Sequence, residues 1–202
     1  MKNIAFGASI LILGGCTAID PVAVQPFASH DQFILLDNLS YKMGSSNAVL
    51  TVPAGFVTDY ASIPRGFWSI APKQDTYSEA AIVHDYLYWT QSCTRSQADN
   101  IFYIAMKEAS VNPIRRWFIY RAVQVAGQAS WNDNQVQVKA HLPRFVPTSA
   151  PKPTAKDSWP LYRKMLTENG ALDPETGKDL LYCSVGDSTH IPTGFYKMPH
   201  EI

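Results

Sequence analysis

Three helix-start signals crowded into residues 76–113 constrain the fold of this chain more than any other feature. Thr76-x-x-Glu79 has the form of a capping box and opens a helix that should run to about Thr90. Thr94-x-x-Gln97 is a second such box, opening a helix to about Ser110. Its apolar residues Ala98, Ile101, Phe102, Ala105, Met106 and Ala109 recur at helical spacing. Asn112-Pro113 supplies a cap and a first-turn proline for a third helix. That helix should carry Ile114, Trp117, Phe118, Ala122 and Val125 on one side and end near Gly127. The connections are too short for anything but antiparallel neighbours, so the sequence predicts a three-helix unit.

Upstream the pattern changes to period two. "FILL" reads as a strand, and Leu39, Tyr41, Met43 and Ala48, Leu50, Val52 alternate with polar residues. Gly44-Ser45-Ser46-Asn47 between them is turn chemistry, which predicts a β-hairpin. The expected class is therefore α+β, a small antiparallel hairpin or sheet packed beside the three helices. Residues 31–142 form the expected core domain. Residues 143–160, "PRFVPTSAPKPTAKDSWP", read as a proline-rich linker. Residues 161–202 should pack on the core, with a short helix at 160–168 and a strand at "LLYCSV".

The N-terminus carries a different message. A short basic start precedes the ten-residue apolar run "IAFGASILIL", which is too short to span a bilayer and has signal-peptide proportions. "LGGC" follows, and it resembles the lipobox of bacterial lipoproteins, with Cys16 as the lipidated residue. That resemblance implies a signal peptide over residues 1–15, a tether over 16–30, and a membrane partner reached through Cys16. Thr17 in place of aspartate implies sorting to the outer membrane, facing the periplasm. Export places the two remaining cysteines, Cys93 and Cys183, in an oxidising compartment. They are either a disulfide or two separate buried thiols. The formal charge is zero, which leaves no electrostatic footprint for nucleic acid.

Chemistry concentrates in "AAIVHDYLYW". On a helix Tyr77, Ala81, His84 and Tyr88 share one stripe, while Asp85 lies about 100° further round. His84 and Asp85 are thus suited to separate tasks. Counting rise from the connecting loop, His84 and Asp99 fall level on antiparallel helices, roughly 8 to 9 Å from the turn. Asp99 borders an apolar stripe, where an unpaired carboxylate is costly. A hydrogen bond between them would fix the histidine tautomer and leave the other ring nitrogen as a base. The same bond would equally satisfy a purely structural histidine. Thr58, Asp59 and Ser62 can form a self-bonded turn, and Arg65 can pair with Asp59 or Asp85.

Two resemblances bear on this region. "VPAGFVTDYASIPR" followed by "AAIVHDYLY" is similar to the core of an uncharacterised domain family of bacteria and tailed phages, over roughly residues 47–110. His84-Asp85-x-x-Tyr88 opposite Asp99 also resembles the helix pair of secreted phospholipase A2. That second resemblance implies His84 as the base activating water, Asp99 as its orienting partner and Asp85 as a calcium ligand, with Asp59 and loop carbonyls assisting. The cysteines before the histidine and the glycine-rich calcium loop of that family are absent; Ile82-Val83 and "TDYASIPRGF" stand there instead. Tyr88, Arg65 and Ser62 would support the site. The expectation is an envelope lipoprotein acting as a calcium-assisted ester hydrolase on a lipid or envelope substrate. The alternative is a non-catalytic envelope lipoprotein, of phage or prophage descent, that binds or excludes a partner.

Overall fold

The computed structural model describes residues 19–60, 76–178 and 180–195. The signal peptide, Cys16, Ser62 and Arg65 lie outside these residues. Among the described residues, five strands and five helices build an α+β domain. β1 (Val24–Pro26), β2 (Phe33–Leu35) and β5 (Val57–Thr58) form an antiparallel sheet in the order β1-β2-β5. β3 (Leu39–Lys42) and β4 (Val49–Val52) form the expected hairpin, pairing Leu39 with Val52 and Tyr41 with Leu50. Leu39, Tyr41, Met43, Ala48, Leu50 and Val52 all point into the core, as the alternation requires.

β2 lacks alternation because both its faces are buried. Phe33 and Leu35 join the main core, while Ile34 joins a second cluster with Phe27, Val57, Trp159, Tyr162 and Leu166. The last three come from α4 (Trp159–Glu168), which covers the far side of the sheet. The segment expected to be a tether therefore enters the fold before residue 30. It supplies β1, because β2 needs a partner on each edge to satisfy its backbone groups.

α1 (Ser78–Thr90) is the central helix, buried from Ala80 through Trp89. It starts with Tyr77 at the N-cap and no side-chain cap, so the Thr76–Glu79 box is out of register with the helix end. α2 (Arg95–Glu108) opens on the expected box: the Thr94 side chain accepts from the Gln97 amide, and the Gln97 side chain accepts from the Thr94 amide. α3 (Pro113–Lys139) is capped by Asn112, which accepts from the amides of Ile114 and Arg115.

α3 departs from expectation twice. It does not end near Gly127 but runs a further twelve residues to Lys139. Of the predicted stripe only Ala122 is buried, together with Ile119, Val123 and Gly127, while Ile114, Trp117, Phe118 and Val125 face solvent. Gly127 is buried because α3 crosses close over α1: a Cβ there would lie 2.4 Å from the Tyr88 hydroxyl. Close approach, not helix termination, explains that glycine.

"LLYCSV" also departs from expectation. It forms α5 (Leu181–Val185), packed on α2 with Tyr182, Cys183 and Val185 buried. Five apolar residues carry no decisive period. Cys183 is bonded to Cys93, with their Cα atoms 5.3 Å apart. The proline-rich segment is docked as well. Val57 N donates to Arg144 O at 2.9 Å, and Val146 N donates to Gly55 O at 2.9 Å. Gly55 has φ 86°, and a Cβ there would meet the Val146 carbonyl at 2.4 Å. No helix among the described residues is long and apolar enough to cross a membrane.

Candidate functional site

α1 and α2 place His84 and Asp99 face to face. His84 Nε2 lies 2.9 Å from Asp99 Oδ1. The Tyr88 hydroxyl donates to the same oxygen at 2.6 Å, and Arg95 donates to Asp99 Oδ2 at 3.0 Å. A carboxylate fed by three donors acts as acceptor throughout, so the His84 proton resides on Nε2 and Nδ1 is the basic nitrogen. The Tyr88 hydroxyl is pushed well above the usual phenol range, first by burial and then by the Asp99 charge, so it stays a donor. The imidazole stacks on Phe102 at 4.6 Å and tilts against Tyr88 at 4.1 Å, which fixes its plane. Its exposure is only 4%.

His84 is among the residues lining a cleft of about 380 Å³. The floor is α1, through His84, Asp85 and Tyr88. One wall is α3, with small residues Ala122, Ala126 and Gly127 nearest His84. Further along the helix come the polar Ser130, Asp133, Asn134 and Gln137. Asp59 and Arg144 also line the cleft, with Arg144 Nη1 3.5 Å from Asn134 Oδ1 on α3.

Asp85 does not face the same partner as His84. It accepts from the Thr58 hydroxyl at 2.5 Å and from the Asp59 amide at 3.2 Å, both on Oδ2. Thr58 Oγ1 in turn accepts from the Tyr60 amide at 3.0 Å. Tyr60 holds φ 62°, a strained value for an aromatic residue, with its ring buried edge-on to Phe33 at 4.9 Å. Burial, then Glu79 and Asp85, lift its hydroxyl to about 12. Thr58-Asp59-Tyr60 is thus a turn clamped onto Asp85.

One Asp85 oxygen is taken by the clamp, and Asp59 Oδ1 lies 3.5 Å from the Arg144 guanidinium, where a second cation would be repelled. Among the described residues no group of three or more His, Cys, Asp or Glu side chains is placed to hold a metal ion.

Arg144 is the site residue that sequence reasoning missed, because it lies in a stretch that reads as linker. Asp173 anchors its backbone, accepting from the amides of Arg144 and Phe145 at 2.9 and 3.0 Å and from Trp89 Nε1 at 2.7 Å. Arg144 Nε then donates to Val57 O at 2.8 Å, and the guanidinium sits over Trp89 and Phe56. Nothing local in "PRFVP" signals this. The polar wall of α3 was more legible: Ser130, Asp133, Asn134 and Gln137 continue a three-and-four spacing beyond Gly127. Arg95 likewise stands four residues before Asp99.

Comparison with known proteins reaches the same segment. The chain is 32% identical over 117 residues to "Uncharacterized protein y4jT" of Sinorhizobium fredii (strain NBRC 101917 / NGR234), covering 50% of this chain and 34% of that protein. The chain thus spans about a third of that relative's length. No solved structure matches it. Residues 33–123, from β2 to the first part of α3 and including His84, Asp85 and Asp99, match the family model described as "Protein of unknown function (DUF1353)", so the chain is similar there to an uncharacterised domain family.

Proposed function

We propose that this protein is a hydrolase of the cell envelope in which His84 activates water, with Asp99 as its orienting partner. The observation that carries this reading is the 2.9 Å contact between His84 Nε2 and Asp99, with His84 also bordering the cleft. His84 Nδ1 takes a proton from water as the water attacks a carbonyl carbon, and the imidazolium returns that proton to the leaving alkoxide as the ester C–O bond breaks. The Asp99 charge stabilises the imidazolium so formed, and Tyr88 and Arg95 hold Asp99 still. Arg144 is the cation bordering the cleft and favours negative charge developing on the carbonyl oxygen. The polar wall of α3 points to a polar ester of an envelope compound, since an acyl chain would meet Asp133, Asn134 and Gln137. No step is routed through calcium, because Asp59 and Asp85 are engaged otherwise. Lipidation at Cys16 would hold the protein at the membrane; the lipobox-like "LGGC" supports this, and Cys16→Ser should release the chain from the membrane fraction.

The test is hydrolysis of a panel of soluble nitrophenyl esters by the wild type, His84→Ala and Asp99→Asn. Loss of the general base should lower the rate about 10² to 10⁴-fold. Undiminished turnover by His84→Ala would refute the reading.

A second reading is a non-catalytic envelope module. It draws on the 4% exposure of His84, which suits an imidazole that only fills and satisfies the core. That reading predicts no turnover above background for the wild type and a loss of stability alone for His84→Ala.

A further inference from the structure

The face of α3 turned away from the cleft is apolar and uncovered. Ile114, Trp117, Phe118 and Val125 are 69%, 52%, 41% and 79% exposed. Trp117 and Phe118 pack edge to face at 5.0 Å, forming one aromatic knob. At roughly 100° per residue these four residues and Arg121 fall on one stripe, about 120° from the cleft-lining Ala122, Ala126, Ser130 and Asp133. The four apolar side chains were expected in the core, and the core is closed without them.

The composition around the stripe identifies its occupant. Residues 109–132 contain Arg115, Arg116 and Arg121 and no carboxylate. Arg115 and Arg116 turn towards the core, over Tyr77 and Tyr103, and Arg121 lies within the stripe. Aromatic rings beside Arg121, with no carboxylate in residues 109–132, match the boundary between acyl chains and anionic headgroups. The area argues against a second copy of the chain. From Ile114 to Val125 the stripe is about 16 Å long and about 10 Å wide. That footprint is far below the roughly 800 Å² per partner of a stable protein interface. A bilayer surface needs no such minimum.

We propose that this stripe of α3 docks the protein onto an anionic membrane surface, with Trp117 and Phe118 inserted at the headgroup boundary and Arg121 against lipid phosphates. The cleft then opens away from the bilayer, towards the aqueous phase. This inference does not depend on the hydrolase reading.

The test is co-sedimentation of the full chain carrying Cys16→Ser, which removes acylation, with vesicles of phosphatidylcholine alone or mixed with phosphatidylglycerol. Binding should be tighter to the mixed vesicles. Trp117→Ala and Phe118→Ala should each weaken it about tenfold, and Arg121→Gln should reduce the preference for anionic lipid about fivefold. Melting temperatures should not change, because none of these side chains supports the core. Unchanged binding in the Trp117→Ala, Phe118→Ala double variant would overturn the proposal, as would indifference to phosphatidylglycerol. A dimer in solution that the double variant converts to monomer would also overturn it and assign the face to self-association.

Discussion

Gly127→Ala is the substitution for which the structure and helix propensity give opposite answers. Glycine inside an exposed helix is worse than alanine by about 1 kcal/mol, so propensity alone predicts a more stable protein. In this structure the new Cβ would lie 2.4 Å from the Tyr88 hydroxyl and 3.3 Å from its ring carbon Cζ. The hydroxyl must retreat by roughly 1 Å to reach ordinary contact. Its 2.6 Å bond to Asp99 would then be lost. A hydrogen bond to a charged group contributes about 1.5 to 3 kcal/mol, so the net effect is a destabilisation of about 0.5 to 2 kcal/mol. Tyr88→Phe removes the hydroxyl, and in that background Gly127→Ala should be close to neutral or stabilising. Urea unfolding of the two single variants and the double variant gives the coupling, expected at about 1.5 to 3 kcal/mol. An equal gain of about 1 kcal/mol from Gly127→Ala in both backgrounds would refute the account of how α3 meets α1.

Three further outcomes follow from the same geometry. Asp99→Ala strands the His84, Tyr88 and Arg95 donors in a buried setting and should destabilise by about 3 to 5 kcal/mol, measured by denaturant midpoint. The Cys93–Cys183 bond spans 90 residues of chain, so reduction should lower stability by up to about 4 to 5 kcal/mol, read as a fall in melting temperature under reductant. Glu108 is held above the usual carboxylate value, chiefly by burial, while it accepts from Tyr41 and Gly44. A raised folded-state value means the native protein binds this proton first. Its contribution therefore favours folding below the raised value and is lost as pH climbs from about 4 through it. Burial raises Asp173 in the same sense. Unfolding free energies across that window should show a downward slope that Glu108→Gln reduces.

Much of the fold was legible because it is local. The Thr94 box and the Asn112-Pro113 cap announce α2 and α3 from four consecutive residues or fewer, and the period-two alternation announces the hairpin. The level placement of His84 and Asp99 followed from rise per residue and a short loop. The errors share a cause. Thr76 looks like a cap, but the N-cap falls one residue later, at Tyr77, whose ring is buried. Gly127 looks like a terminator because sequence cannot show a tyrosine hydroxyl from another helix at its Cα. "LLYCSV" is too short to carry a period, and its partner across the disulfide lies 90 residues away.

The sequence by itself determined the three-helix unit, the hairpin and the pairing of an imidazole with a carboxylate, since helical rise, strand alternation and capping act between near neighbours. Tertiary structure alone decided which face of α3 is buried, that the proline-rich stretch delivers Arg144 to the cleft, and that Asp85 clamps the Thr58–Tyr60 turn. Those outcomes depend on which surfaces meet, and close contacts between residues far apart in the chain leave no periodic trace in either segment.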